Sequence, residues 1–210
     1  MKKHIGWIAG TTAAVLVAAG AITYAVAEDG SAGGGPSVPS AEGADAGFAR
    51  DMAVHHQQAV EMSYIIRDRT TDTEVRRLAY DIAQTQANQR GMLLGWLDLW
   101  DLPKVSAKPP MSWMGMGDMP ERGDGSLMPG MATDTELKKL GTLNGKQAEI
   151  FYLQLMTDHH KGGIHMAEGC VSKCTVEVEK NLAQGMVDAQ QSELATMKQM
   201  LKERGAKPRD

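Results

Sequence analysis

The sequence predicts an all-α protein: a four-helix bundle made of two repeated helical hairpins with a long Met-rich crossover between them. Three observations lead there. Met52-Ala53-Val54-His55-His56 with Met62 returns as Met156-Thr157-Asp158-His159-His160 with Met166, so the frame M-x-x-H-H-x5-M occurs twice. The match extends outward, with Asp45-x-x-Phe48 answering Glu149-x-x-Tyr152, and Ile82, Gln86 and Met92 answering Val187, Gln191 and Met197. Apolar residues in these stretches recur at helical spacing. Two copies of one hairpin have only each other against which to bury their apolar faces, which gives a pseudo-twofold bundle.

The 210 residues suffice for one domain, and a net charge of -4 gives no reason to expect a nucleic-acid partner. Lys2-Lys3-His4, the apolar run 5–26 and Ala25-Val26-Ala27 ahead of Glu28 have the order of a basic head, an apolar stretch and an A-x-A cleavage site. Residues 1–27 are therefore a signal peptide or, since the run approaches bilayer-spanning length, an N-terminal membrane anchor. Either way the expected location is extracytoplasmic. Residues 28–44, with Gly, Ser, Ala and Pro dominating from Gly30 to Gly43, read as a flexible linker, and 45–204 as the bundle.

The first helix is expected from Asp45 to Asp68, with the acidic Asp45 at the positive end of its dipole. Thr70 to Asp72 makes the turn. The second helix starts at Thr73 and stops before Pro103, carrying Val75, Leu78, Ala79, Ile82, Leu93, Leu97 and Trp100 on one side. Gln86 interrupts that stripe, and Gln191 is its expected counterpart. Each amide bonds either to backbone or, as an outer-shell group, to a metal-binding imidazole.

The crossover, 102–132, holds Met111, Met114, Met116, Met119, Met128 and Met131 among Pro and Gly, with Trp113 placed to pin it to the bundle. Its length without regular structure points to a function. The methionines either pack the loop or capture a soft metal. Thr133-x-x-Glu136 is a capping box for a short helix to Leu140, followed by a third long helix from Lys146 to Gly169 and a fourth from Thr175 to Arg204, stopped by Gly205. Cys170 and Cys174, between them, are a disulfide candidate in an exported chain or, alternatively, thiolate ligands; a bridge calls for the third helix to end near Cys170.

At about 100° per residue, Met52, His55, His56 and Met62 share an arc of roughly 120°, as do Met156, His159, His160 and Met166, while His165 falls on the opposite side, toward the surface. Neighbouring histidines on one helix flank a face without completing a site, so further ligands must come from the methionines, the facing hairpin or the crossover. Imidazole with thioether suits copper, above all Cu(I), better than magnesium, calcium or manganese. A di-iron or di-manganese oxidase would use Glu-x-x-His, which is absent, and a zincin would use H-E-x-x-H, which is absent too.

Phe48-x3-Met52-x2-His55-His56-Gln57-Gln58-Ala59, Met131 with its following helix, and Leu153-x2-Met156-x2-His159-His160-Lys161-Gly162 resemble the bacterial family known as domain of unknown function 305, over about residues 45 to 202. The resemblance implies a ferritin-like four-helix fold, an exported location and, as in its CopM-like members, copper handling by Met and His. The combined expectation is a non-enzymatic binder of Cu(I) or Ag(I) that buffers the ion or exchanges it with a donor or acceptor protein. The alternatives are a ferritin-like metal oxidase and a metal-free structural or partner-binding bundle. Unperturbed imidazoles would release copper as pH falls through about 6.5, or lower where the metal competes strongly with protons, whereas thioethers would not.

Overall fold

The computed structural model describes residues 38–119 and 123–209. The expected export segment, 1–27, and the linker up to residue 37 lie outside them. The described residues form α1 (Ala44–Arg67), α2 (Thr73–Leu99), α3 (Asp134–Thr142), α4 (Gly145–Lys173) and α5 (Glu177–Glu203), with no strand among them. None of these helices is long and apolar enough to cross a membrane. Ala44 is already helical, and the end of the expected linker is held rather than loose. Gly43 donates to Ser40, and Arg50 Nη1 donates to the Ala41 carbonyl at 2.7 Å.

Local chemistry sets the helix ends. Asp72 accepts from the amides of Glu74 and Val75 to start α2. Thr133 and Glu136 form the expected reciprocal box at α3, and Gly205, at φ +71°, follows the end of α5. In contrast to the expected stop near Cys170, α4 runs on to Lys173. The Cys174 amide still closes a helical bond to Cys170, so the disulfide between them spans the last turn of the helix.

α1 packs on α2, α4 on α5, and α1 across α4. The core falls into two apolar clusters. One takes Phe48, Met52, Leu93, Leu97, Met166 and Met186; the other takes Met62, Ile66, Ile82, Tyr152, Met156 and Met197. Early α1 residues thus share a cluster with late α2, late α4 and early α5 residues, which makes each packed pair antiparallel. Each fully buried Leu or Met contributes on the order of 1.5–3 kcal/mol.

Matched acids tie the two halves together. Asp45 accepts from the amides of Thr175 and Val176 and from Thr175 Oγ1, at the turn before α5. Its counterpart Glu149 accepts from Thr70 Oγ1 in the turn before α2 and from Arg204. Asp45 therefore starts α5 rather than serving only its own helix.

The segment between α2 and α3 lies over one end of the molecule. Asp51 accepts from the Met111 amide at 2.7 Å and from Trp113 Nε1 at 2.9 Å. Gln58 exchanges two bonds with the backbone of Ala132. Trp113 does pin the segment, but through Asp51. At its far end the backbone runs so close to α4 that a Cβ on Gly162 would collide with the Pro129 carbonyl, and one on Gly130 with the Asp158 carbonyl.

Candidate metal centre

His55, His56, His159 and His160 lie between the two apolar clusters, and all four are buried. Their positions follow from the repeat: α1 and α4 cross at the residues where each presents its histidine pair. The His55 and His159 rings face each other, centroids 3.7 Å apart and planes inclined by 32°.

The hydrogen bonds fix which nitrogens are free. His159 Nε2 lies 3.0 Å from the His55 carbonyl, an acceptor only, so Nε2 carries the proton and Nδ1 the lone pair. His160 Nε2 lies 2.7 Å from Glu193 Oε2 and donates to the carboxylate, again leaving Nδ1 free. Six of the eight ring nitrogens in this layer make no hydrogen bond of good geometry, namely both of His55, both of His56, and Nδ1 of His159 and His160, although the Pro129 carbonyl stands near His55 and the Gln86 and Gln89 amides near His56. Groups so placed are rare in a folded interior. Burial pushes the His55 imidazole down to about 3, opposed by the Pro129 carbonyl, and His56 likewise to about 3, with His55 adding to the effect. His159 is also driven well below its usual value, by burial first and then by its three neighbouring imidazoles. Neutral imidazoles with free lone pairs are what metal binding requires.

Gln86 is buried beside His56, its amide near the ring but short of good hydrogen-bond geometry. Its counterpart is not Gln191, which is exposed, but Gln190, which is buried against Gly163. The expected pairing of Val187 with Ile82 and of Met197 with Met92 is off by the same single residue. With the spacing of 104 residues that relates His55 to His159, Gln86 answers Gln190, Ile82 answers Met186, and Leu93 answers Met197, all of them buried. Met92 itself is 40% exposed, on the outer side of α2. The same register pairs Gln89, which stands by His56, with Glu193, which bonds His160. Sequence reasoning missed Gln89 and Glu193, although the correct register would have exposed both.

The eight predicted helix ligands do not form one cage. Met52 and Met166 fall in one apolar cluster and Met62 and Met156 in the other, on opposite sides of the histidine layer. Nor do three imidazoles converge: among the described residues, only Cys170, Cys174 and Glu179 bring three His, Cys or carboxylate ligand atoms within 4.8 Å of one another. Of the crossover methionines, Met111, Met128 and Met131 are buried in the same cluster as Met52, Met166 and Met186, which core packing explains. Met114, Met116 and Met119 pack half-buried against it, so nine thioethers gather at one end. His165 is exposed as expected, yet its Nε2 stands 3.4 Å from Met116 Sδ.

Glu193 also lines a groove of about 600 Å³ between α2 and α5, with Glu74, Asp81 and Glu203 as further acids and Arg77 the one cation. It therefore connects the buried layer to solvent.

Residues 45–201 match the family described as Domain of unknown function (DUF305). The chain belongs to this family. Among solved structures, a DUF305 protein from Streptomyces coelicolor described as secreted is 71% identical, with 81% of this chain and 99% of that one covered at a TM-score of 0.76. A DUF305 fragment from Deinococcus radiodurans is 28% identical, with coverage of 76% and 96% and a TM-score of 0.62. CopM in its Cu(I)-bound form superposes at a TM-score of 0.58 over 76% of this chain and 96% of its own, at 19% identity, which establishes a shared fold. No curated protein sequence matches the chain.

Proposed function

We propose that this DUF305 protein is an extracytoplasmic, non-enzymatic binder of Cu(I) or Ag(I), built as a ferritin-like four-helix bundle with a Met-rich crossover, that buffers the ion or passes it to a partner protein. The observation that carries the reading is the buried layer of four histidines with six ring nitrogens lacking a hydrogen bond of good geometry, set against an end of the fold rich in thioethers. Leaving so many buried polar atoms unpaired is costly unless a ligand uses them. Lone pairs on imidazole beside thioether sulfur select a soft cation. CopM shares the fold and has been crystallised with Cu(I), Cu(II) and Ag bound. The 71% identical relative, described as secreted, supports the location.

In this reading Met52, Met62, Met156 and Met166 flank the histidine layer as additional ligands, while Met111, Met114, Met116, Met119, Met128 and Met131 form a second, thioether site. Gln86 and Gln190, with Gln89 and Glu193, orient the imidazoles as outer-shell partners. The acidic groove that Glu193 lines is the route by which a cation reaches His160. Because no three imidazoles converge, loading must draw His55 and His159 out of their face-to-face pairing.

That same lack of convergence favours a second reading, in which the histidines are a structural polar layer that fixes the register of the two hairpins. Anaerobic competition of the purified chain against a chromogenic Cu(I) chelator separates the two. Tight Cu(I) binding that weakens at least tenfold on replacing His55, His56, His159 and His160 by Gln supports the metal site. Unchanged binding leaves the structural layer.

A further inference from the structure

The two hairpins keep one register of 104 residues through the turn between α4 and α5, but the residue types change there. Where the first hairpin has Ile66, Thr70 and Val75, the second has Cys170, Cys174 and Glu179. These three departures from the repeat meet in space: one ligand atom from each lies within 4.8 Å of the others. Ile66 and Val75 show that apolar side chains suffice at such positions. Glu179 is nevertheless fully buried, and neither carboxylate oxygen has a geometrically sound hydrogen-bond partner. Asp45, which also accepts from Thr175 and Val176, stands beside it; its charge disfavours an ionised Glu179 and its carboxylate favours a protonated one. As a protonated group beside Asp45, Glu179 is tolerated in the bridged state, and two sulfurs and a carboxylate oxygen within reach of one point are a ligand set for a thiophilic d10 cation once that proton and the bridge are removed.

We propose that Cys170, Cys174 and Glu179 form a redox-latched site for a thiophilic divalent cation of the zinc class, closed while the cysteines are bridged and opened when the bridge is reduced. A dithiol reductant supplies two electrons and two protons; the Cys170–Cys174 bond breaks, two protein thiols form, and the reductant leaves as its own disulfide. The cation then displaces the thiol protons and the proton on Glu179, giving an S2O set with a fourth position open to water. The latch is reachable, because Cys174 lies at the rim of a turn whose Lys173 and Thr175 are exposed. The backbone can accommodate the change, since Cys170 is held in α4 while Cys174, just past its end, has the extended ψ of 151°. The site uses none of the histidines or methionines assigned to copper and stands independently of that assignment.

Cobalt(II) tests the proposal, because thiolate bonded to cobalt gives an intense near-ultraviolet charge-transfer band that imidazole, thioether and carboxylate do not. The whole purified chain is reduced with dithiothreitol, desalted under anaerobic conditions and titrated with Co(II), beside an unreduced sample. The band should appear at one equivalent in the reduced protein only, and should vanish on adding one equivalent of Zn(II). Glu179→Gln keeps the shape and should weaken Co(II) binding at least tenfold without loss of helical circular dichroism. Cys170→Ser with Cys174→Ser should abolish the band. Absence of the band after reduction, loss of helical signal on reduction alone, or Glu179→Gln binding Co(II) as tightly as the native chain would each overturn the proposal.

Discussion

His159 Nε2 donates to the backbone carbonyl of His55 at 3.0 Å, tying the imidazole of one hairpin to the main chain of the other. This bond fixes which nitrogen, Nδ1, His159 leaves for a ligand. His159→Gln cannot reproduce the bond from the same Cα position and leaves the carbonyl buried. The variant should lose about 1–3 kcal/mol of stability in urea denaturation. Ag(I) should also raise its melting temperature by less than half the rise seen in the native protein.

Stability should depend on pH in two opposite directions. His55 and His56 titrate at about 3 in the folded protein, against 6.5 when free. Between those values the unfolded chain takes up protons that the folded one refuses, so stability falls as pH drops from 6.5, by up to about 1.4 kcal/mol per pH unit for each such group. Urea midpoints at pH 7, 5.5 and 4.5 should decline steeply, and replacing the four histidines by Gln should flatten the decline. The expectation of copper release through about 6.5 is revised accordingly. Burial keeps His55, His56 and His159 neutral, so copper held by them should stay bound at pH 5 and leave as the fold itself gives way.

Glu179 behaves in the reverse sense. Burial, reinforced by Asp45, pushes its carboxyl up to about 9 from 4.5. The folded state holds a proton that the unfolded state has lost, so the contribution is fully present below 4.5 and disappears as pH rises toward 9. Glu179→Gln should raise the melting temperature more at pH 8 than at pH 5. An equal change at both pH values would mean that Glu179 is ionised in the fold.

Glu193→Gln keeps a hydrogen-bond partner for His160 and removes the charge that raises the basicity of its Nδ1. Outer-shell changes of this kind typically cost about 10–100-fold in metal affinity. Chelator competition should show a loss in that range for Cu(I), with the urea midpoint little altered.

Gly162→Ala places a methyl group against the Pro129 carbonyl. Overpacking of this kind costs about 1–3 kcal/mol. Since the nearest movable partner is the segment between α2 and α3, limited proteolysis should cut that segment faster while the helices remain protected.

Much of this was readable in the residues. The capping residues, the turns and the doubled histidine frame are local signals, and the helices begin and end within a few residues of where those signals place them. The register of the second hairpin half was not, because Gln190 and Gln191 are adjacent and identical. Residue identity could not choose between them; the shared face with Ala183, Met186 and Met197 does. Glu193 was hidden by the same slip. The bonds from Asp45 to the turn before α5 and from Gln58 to Ala132 join residues far apart in the chain and leave no trace in local spacing. The division of the methionines between two apolar clusters depends on which way α1 and α4 cross, which the helical wheel of either helix alone does not contain.

X-ray absorption at the copper edge of the anaerobically Cu(I)-loaded chain reads imidazole and thioether donors to a soft cation at once. The predicted spectrum has nitrogen scattering with the outer-ring signature of imidazole, removed by replacing the four histidines with Gln. It also has sulfur scattering, reduced by replacing Met111, Met114, Met116, Met119, Met128 and Met131 with Leu and removed when Met52, Met62, Met156 and Met166 are replaced as well. A first shell of nitrogen and oxygen alone, unchanged in either variant, would contradict it.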